Sequence, residues 1–130
     1  MKKLLVLLFS ILISINSYGE WTFITTNDRG DNYFVDLETI KKQEGDVYFW
    51  ELLDFAIPLM DITYSTKSYI VTDCNLNLFR YKYLRDIFYS QPMLKGSIVL
   101  SSDIPDTEWR YVGPESVGAI ELKRVCEFAN

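Results

Sequence analysis

LFRYKYLRDIFY, residues 78–89, decides the fold. Phe79, Tyr81 and Tyr83 fall on one side of an extended chain, and Arg80 and Lys82 on the other. That is the period-two alternation of a strand with one face against a core. The phase slips near Arg85 and Asp86, which predicts a bulge or a bend. The preceding segments are of the same kind. Residues 47–55 (VYFWELLDF) are aromatic and aliphatic almost throughout. Residues 56–63 contain Pro58 and interrupt them. Residues 64–74 resume as a strand, with Tyr69 and Val71 alternating against Ser68, Ile70 and Thr72. Residues 75–77 allow only a tight connection.

Working outward, residues 20–26 (EWTFITT) read as a strand and residues 27–32 (NDRGDN) as a turn. Residues 33–36 return as a short strand. Asp36 caps a single helical turn to Ile40. Residues 41–46 form a polar turn around Gly45. Beyond a loop at 90–96, residues 97–102 are the last expected strand. Residues 103–113 are irregular and acidic and carry Trp109. Pro114 then opens a helix to about Cys126, where Ala119, Leu122, Val125 and Cys126 recur at helical spacing and face the sheet. Glu115 near its start and Lys123 and Arg124 near its end suit the helix dipole. The fold class is α+β: a meandering antiparallel sheet of about five or six strands with a C-terminal helix packed on it. One domain, residues 20–130, is expected.

Residues 1–19 read as a secretory signal. Met1, Lys2 and Lys3 precede an apolar run over 4–13, and small residues Ser17 and Gly19 precede a cut before Glu20. The run is shorter than the roughly 20 apolar residues a membrane span requires. No cysteine stands at the cut for an acyl anchor. The mature chain is expected to be soluble, with the bacterial periplasm, the cell surface or the medium as its location. Loss of Lys2 and Lys3 leaves 11 basic against 18 acidic residues, a net charge of −7. Such a balance disfavours nucleic acid and anionic membranes.

Cys74 and Cys126 are the two cysteines, and two cysteines in an exported chain normally pair. The link closes a loop of about 50 residues, worth roughly 4 kcal/mol in the chain-entropy treatment. A redox or metal-binding pair would call for CxxC spacing or histidine, and the chain has no histidine. No nucleotide loop or catalytic constellation is present, and no cofactor is expected. Serines lack a histidine partner for a triad. Acid groups such as Glu51/Asp54 or Asp103/Asp106/Glu108 would need to flank a cleft to act as glycosidase carboxylates. Asp28, Asp31 and Asn32 lack the ligand series of a calcium loop.

Two segments are candidates for contact with a partner. Arg29-Gly30-Asp31 is an RGD tripeptide at a hairpin tip, where turn chemistry alone also accounts for it. Arg80, Tyr81, Lys82, Tyr83 and Arg85 make a locally basic, aromatic strand in an acidic chain. Tyr and Arg anchor protein interfaces, although an amphipathic strand with buried tyrosines has the same pattern. Trp109, near the helix start, reads as a core or staple residue rather than a ligand platform. An open sheet edge could also accept a peptide strand or a second copy.

The chain resembles the surface-adhesin protein E family. The matching features are Trp21, Tyr33-Phe34-Val35-Asp36 before Ile40, Val47, Trp50, Asp54, Asp73-Cys74, Tyr89-Ser90, Gly96, Trp109, Pro114-Glu115-Ser116 and Val125-Cys126. The likeness covers essentially the whole mature chain. It implies an antiparallel sheet with a helix, a disulfide between the two matching cysteines, and dimerisation. It also implies a non-enzymatic exported protein that binds host matrix or serum proteins, with the ligand region near residues 69–89. The other reading is a periplasmic interaction or structural protein that docks an envelope partner.

Overall fold

The computed structural model describes residues 20–130, so the expected signal, residues 1–19, lies outside the described residues. The strands are β1 (Thr22–Thr26), β2 (Asn32–Val35), β3 (Lys41–Gln43), β4 (Asp46–Leu59), β5 (Thr63–Thr72), β6 (Arg80–Tyr89), β7 (Ile98–Ser102) and β8 (Arg110–Tyr111). One α-helix follows, α1 (Val117–Ala129). All pairings are antiparallel, in the order β1-β2-β4-β5-β6-β7. The short β3 pairs with β4 beyond the end of β2, and β8 pairs with β6 beyond the end of β7. The meander of six strands is the expected one, and the two short strands extend its edges.

Each departure from the sequence reading has a local cause. Residues 41–46 form a hairpin rather than a simple turn, because Glu44 and Gly45 both take positive φ (55° and 88°). Two such residues make the tight turn whose twist matches antiparallel strands. Pro58 does not break β4. It lies in an irregular stretch where Asp54 pairs with Ser65 and Leu59 with Thr63. Its missing N–H therefore costs no ladder hydrogen bond. Strand β6 begins at Arg80 rather than Leu78, since Phe79 has φ 45° and closes the turn after Cys74. Its bulge falls at Leu84, one residue before the expected slip: Tyr69 faces Arg85 and Ile70 faces Tyr83.

The helix starts at Val117, not Pro114, because Ser116 caps it: its Oγ accepts from Ala119 N at 3.2 Å. It runs on to Ala129, which leaves Lys123 and Arg124 short of its last turn and Glu115 outside its first. Contrary to the sequence expectation, those three residues do not complement the helix dipole: its first turn holds no acid and its last turn no base. Gly118 lets the helix approach closely, since a Cβ there would stand 2.9 Å from Val112 Cγ1.

The core lies between α1 and one sheet face. Val35, Val47, Phe49, Ile70, Leu122 and Val125 form it, and the expected helix stripe of Ala119, Leu122, Val125 and Cys126 is buried. Each large side chain there contributes about 1.5–3 kcal/mol by burial. A disulfide joins Cys74 to Cys126, with Cα atoms 5.5 Å apart, and ties the helix to the β5–β6 connection. The β6–β7 connection folds over the other face, where Leu94 N donates to Ser65 Oγ and Met93 N to Asp54 Oδ1, both at 2.9 Å. Among the described residues, no helix is long and apolar enough to cross a membrane.

Candidate functional site

Register across β4, β5 and β6 sets which side chains share a face. Phe49, Ile70 and Tyr83 align on the helix side, while Trp50, Tyr69 and Arg85 align on the opposite side. On that opposite face Tyr48, Val71 and Lys82 form the next row. The bulge at Leu84 matters here. Without it, Arg85 would turn to the helix side, because one residue of slip exchanges the faces.

The result is a ladder of cations and aromatic rings. Lys67 Nζ lies 4.7 Å from the Trp50 ring centre and 6.0 Å from that of Trp21. Trp50 packs on Tyr69 at 4.7 Å, and Tyr69 on Tyr48 at 6.0 Å. Farther along the same face, Trp109 has Arg80 Cζ at 4.5 Å and Lys82 Nζ at 4.6 Å. Contacts of this type contribute about 0.5–1 kcal/mol each at exposed sites. They also restrain the rings on this face. Trp109 is half-buried on this surface, which corrects its reading as a core residue.

The five residues singled out on β6 are thus divided. Arg80, Lys82 and Arg85 belong to the ladder face, whereas Tyr81 and Tyr83 point under the helix and meet edge to face at 5.4 Å. Two of the three cations already carry acids: Arg80 Nε is 2.7 Å from Asp73 and Arg85 Nε is 2.8 Å from Asp103. Among the described residues Lys67 and Lys82 form no ion pair. Trp21, Tyr48, Trp50 and Lys67 were missed as partners to this surface, and Tyr69 came in only through the ligand region that the family resemblance implied. Alternation within residues 47–55 and 64–74 would have grouped them, but only register shows which faces coincide.

The RGD tripeptide does not present its acid. Asp31 is 3 % exposed, and its carboxylate accepts from Asn27 Nδ2 and from Ala56 N, each at 2.9 Å. Ala56 lies in the irregular stretch of β4, where the ladder leaves its N–H without a strand partner. Arg29 Nη2 turns back to the same carboxylate at 3.3 Å, and Gly30 supplies φ 89°. The tripeptide is a structural turn whose acid satisfies a bulge. Asp31→Ala removes a buried acceptor from two part-buried donors, Asn27 Nδ2 and Ala56 N, so it is expected to destabilise by about 1–3 kcal/mol. Thermal or urea unfolding measures this.

The acid groups noted in the sequence do not converge. Glu51 lies on the helix side and Asp54 on the other, Asp103 pairs with Arg85, and Asp106 pairs with Arg110 at 2.7 Å. The Arg110 guanidinium holds the Asp106 carboxyl below its usual range. An unforeseen pair forms instead. Glu51 of β4 and Glu121 of α1 meet under the helix, each 4 % exposed. Burial raises both carboxyl pKa values. The hydrogen bond to Glu121 pulls Glu51 back down, and the Glu51 charge pushes Glu121 further up. Among the described residues, no group of three or more His, Cys, Asp or Glu side chains is placed to hold a metal ion.

The fold has known counterparts. The family model for surface-adhesin protein E matches residues 21–127. Three solved structures of Haemophilus influenzae protein E share the fold. Crystal form II superposes with a TM-score of 0.64 at 14 % identity, covering 85 % of this chain and 91 % of that one. A second superposes with a TM-score of 0.61 at 14 % identity over 83 % and 84 %. The selenomethionine form gives 0.60 at 16 % identity over 81 % and 85 %. No curated protein sequence matches the chain. With the family model spanning nearly all the described residues, this chain belongs to the surface-adhesin protein E family.

Proposed function

We propose that this chain is a non-enzymatic exported binding protein that contacts host matrix or serum proteins through its ladder face. Residues 1–19 direct its export, and residues 20–130 form the binding domain. The observation that carries the reading is the row of half-buried aromatics interleaved with Lys67, Arg80, Lys82 and Arg85 on one sheet face. Aromatic rings supply contact area at low entropic cost, and ammonium groups without acid partners supply attraction for acidic segments. In a chain of net negative charge, that attraction is local and orients the partner on this face.

Lys67→Ala combined with Lys82→Ala is expected to weaken binding to an immobilised basement-membrane extract about tenfold or more. Wild-type binding should fall with added salt, because exposed charges are screened. Surface plasmon resonance reads both effects. Antibody labelling of intact bacteria tests whether the chain reaches the surface, and unlabelled intact cells would overturn the adhesin reading.

A second reading rests on β7. Its outer edge carries exposed Ile98, Val99 and Leu100. Such an edge can pair with an envelope partner or a second copy in the periplasm. A periplasmic pool that crosslinks to one envelope protein through β7 would favour it.

A further inference from the structure

Helix α1 does not close flat on the sheet. A cavity of about 340 Å³ lies between them. Tyr33, Tyr81 and Tyr83 wall it from the sheet, Ile70, Val112 and Leu122 give it an apolar side, and Glu51 and Glu121 form its polar end. Among the described residues, Glu121 Oε2 has no hydrogen-bond partner. A carboxyl oxygen that is buried, orphaned and beside a void is costly unless something fills the void.

The surroundings specify what that something is. The other groups that act on the pair and its tyrosines are mostly acids and phenols: Asp86 of β6, Asp31 of the first turn, and the three tyrosines. Arg110 stands over the Tyr83 ring at 4.9 Å, but its guanidinium is held by Asp106. The cavity therefore offers acceptors, negative ring faces and hydrocarbon, and lacks a donor cation of its own. Rings and carboxylates together form a receptor for an amine.

We propose that this cavity binds a small aliphatic ammonium compound. Its charged head sits on the Glu51–Glu121 carboxyl pair, ringed by Tyr33, Tyr81 and Tyr83, and its hydrocarbon body lies along Ile70, Val112 and Leu122. Burial and the Glu51 charge favour one proton held between the two carboxyls when no cation lies beside them. Entry of the ammonium lets that proton leave to solvent, so the charge of the site is unchanged. The site is on the opposite side of the sheet from the ladder, so the two proposals stand or fall separately.

The test titrates the oxidised protein with n-butylammonium and with 1-butanol, following the tyrosine ring signals by NMR. The expected result is a saturable shift of Tyr33, Tyr81 and Tyr83 with the amine and none with the alcohol. Affinity should rise by about tenfold per pH unit while one proton is released. Glu121→Gln, or Glu51→Gln should the first variant not fold, is expected to weaken binding about tenfold or more. Met60→Ala, at an exposed position in the β4–β5 turn, should bind as wild type does. The proposal is overturned if no shift occurs, if 1-butanol binds equally, or if binding survives both carboxamide substitutions.

Discussion

Replacing Cys74 and Cys126 together by serine is expected to cost about 4 kcal/mol of stability. The crosslink spans 52 residues of sequence and closes a loop that holds β6, β7, β8 and most of α1. In the unfolded chain it removes the freedom of a long loop, and the entropic stabilisation grows with the logarithm of that length. In the native chain it also anchors a helix that would otherwise rely on a small core, since only Ala119, Leu122, Val125 and Cys126 bury apolar side chains on its inner side. A domain of this size buries roughly two thirds of its surface, so losing a staple takes a large share of the net stability. Urea unfolding of the oxidised protein and the double-serine variant measures the difference. A loss below about 1 kcal/mol would show that the helix is held by packing alone.

The second large effect is in the pH dependence set by Glu121. Burial and the Glu51 charge raise its native pKa well above the ordinary glutamate value. A raised native pKa means that the folded chain holds its proton where the unfolded chain has released it. The stabilisation from that proton is complete below the ordinary glutamate value and disappears as pH climbs through the raised one. In that window stability falls by up to about 1.4 kcal/mol per pH unit, the slope for one proton. Wild type should therefore lose stability as pH rises from mildly acidic, and Glu121→Gln should flatten that decline. The amide cannot ionise, and its NH2 can donate to Glu51. Urea midpoints collected across pH for both proteins check this. Parallel curves would mean that Glu121 titrates alike in the folded and unfolded chain.

Local pattern carried most of the fold. Alternation in residues 78–89 already put Tyr81 and Tyr83 opposite Arg80 and Lys82, and helical spacing named the buried side of α1. Strands β3 and β8 were not legible, because two or three polar residues become strand only by pairing with a neighbour already in place. The site was less visible. The ladder is a property of register across three strands, and a bulge at Leu84 decides where Arg85 points. The Glu51–Glu121 pair joins residues far apart in the chain, and each carboxylate taken alone reads as a solvated surface group. One sign was present: Glu121 stands four residues before Val125 and beside Leu122, on the inward stripe of the helix. A charged residue at such a position is informative because the stripe is otherwise apolar.

The most direct test of the ladder as a binding surface uses the tryptophans. The chain has three, Trp21, Trp50 and Trp109, and all three contact ladder cations. Protein labelled with fluorotryptophan gives fluorine NMR signals that an unlabelled partner does not obscure. Titration with soluble basement-membrane extract is predicted to shift or broaden all three signals saturably, with the effect suppressed by Lys67→Ala and Lys82→Ala together. Binding that leaves the three signals unmoved, or no binding at all, would contradict the account.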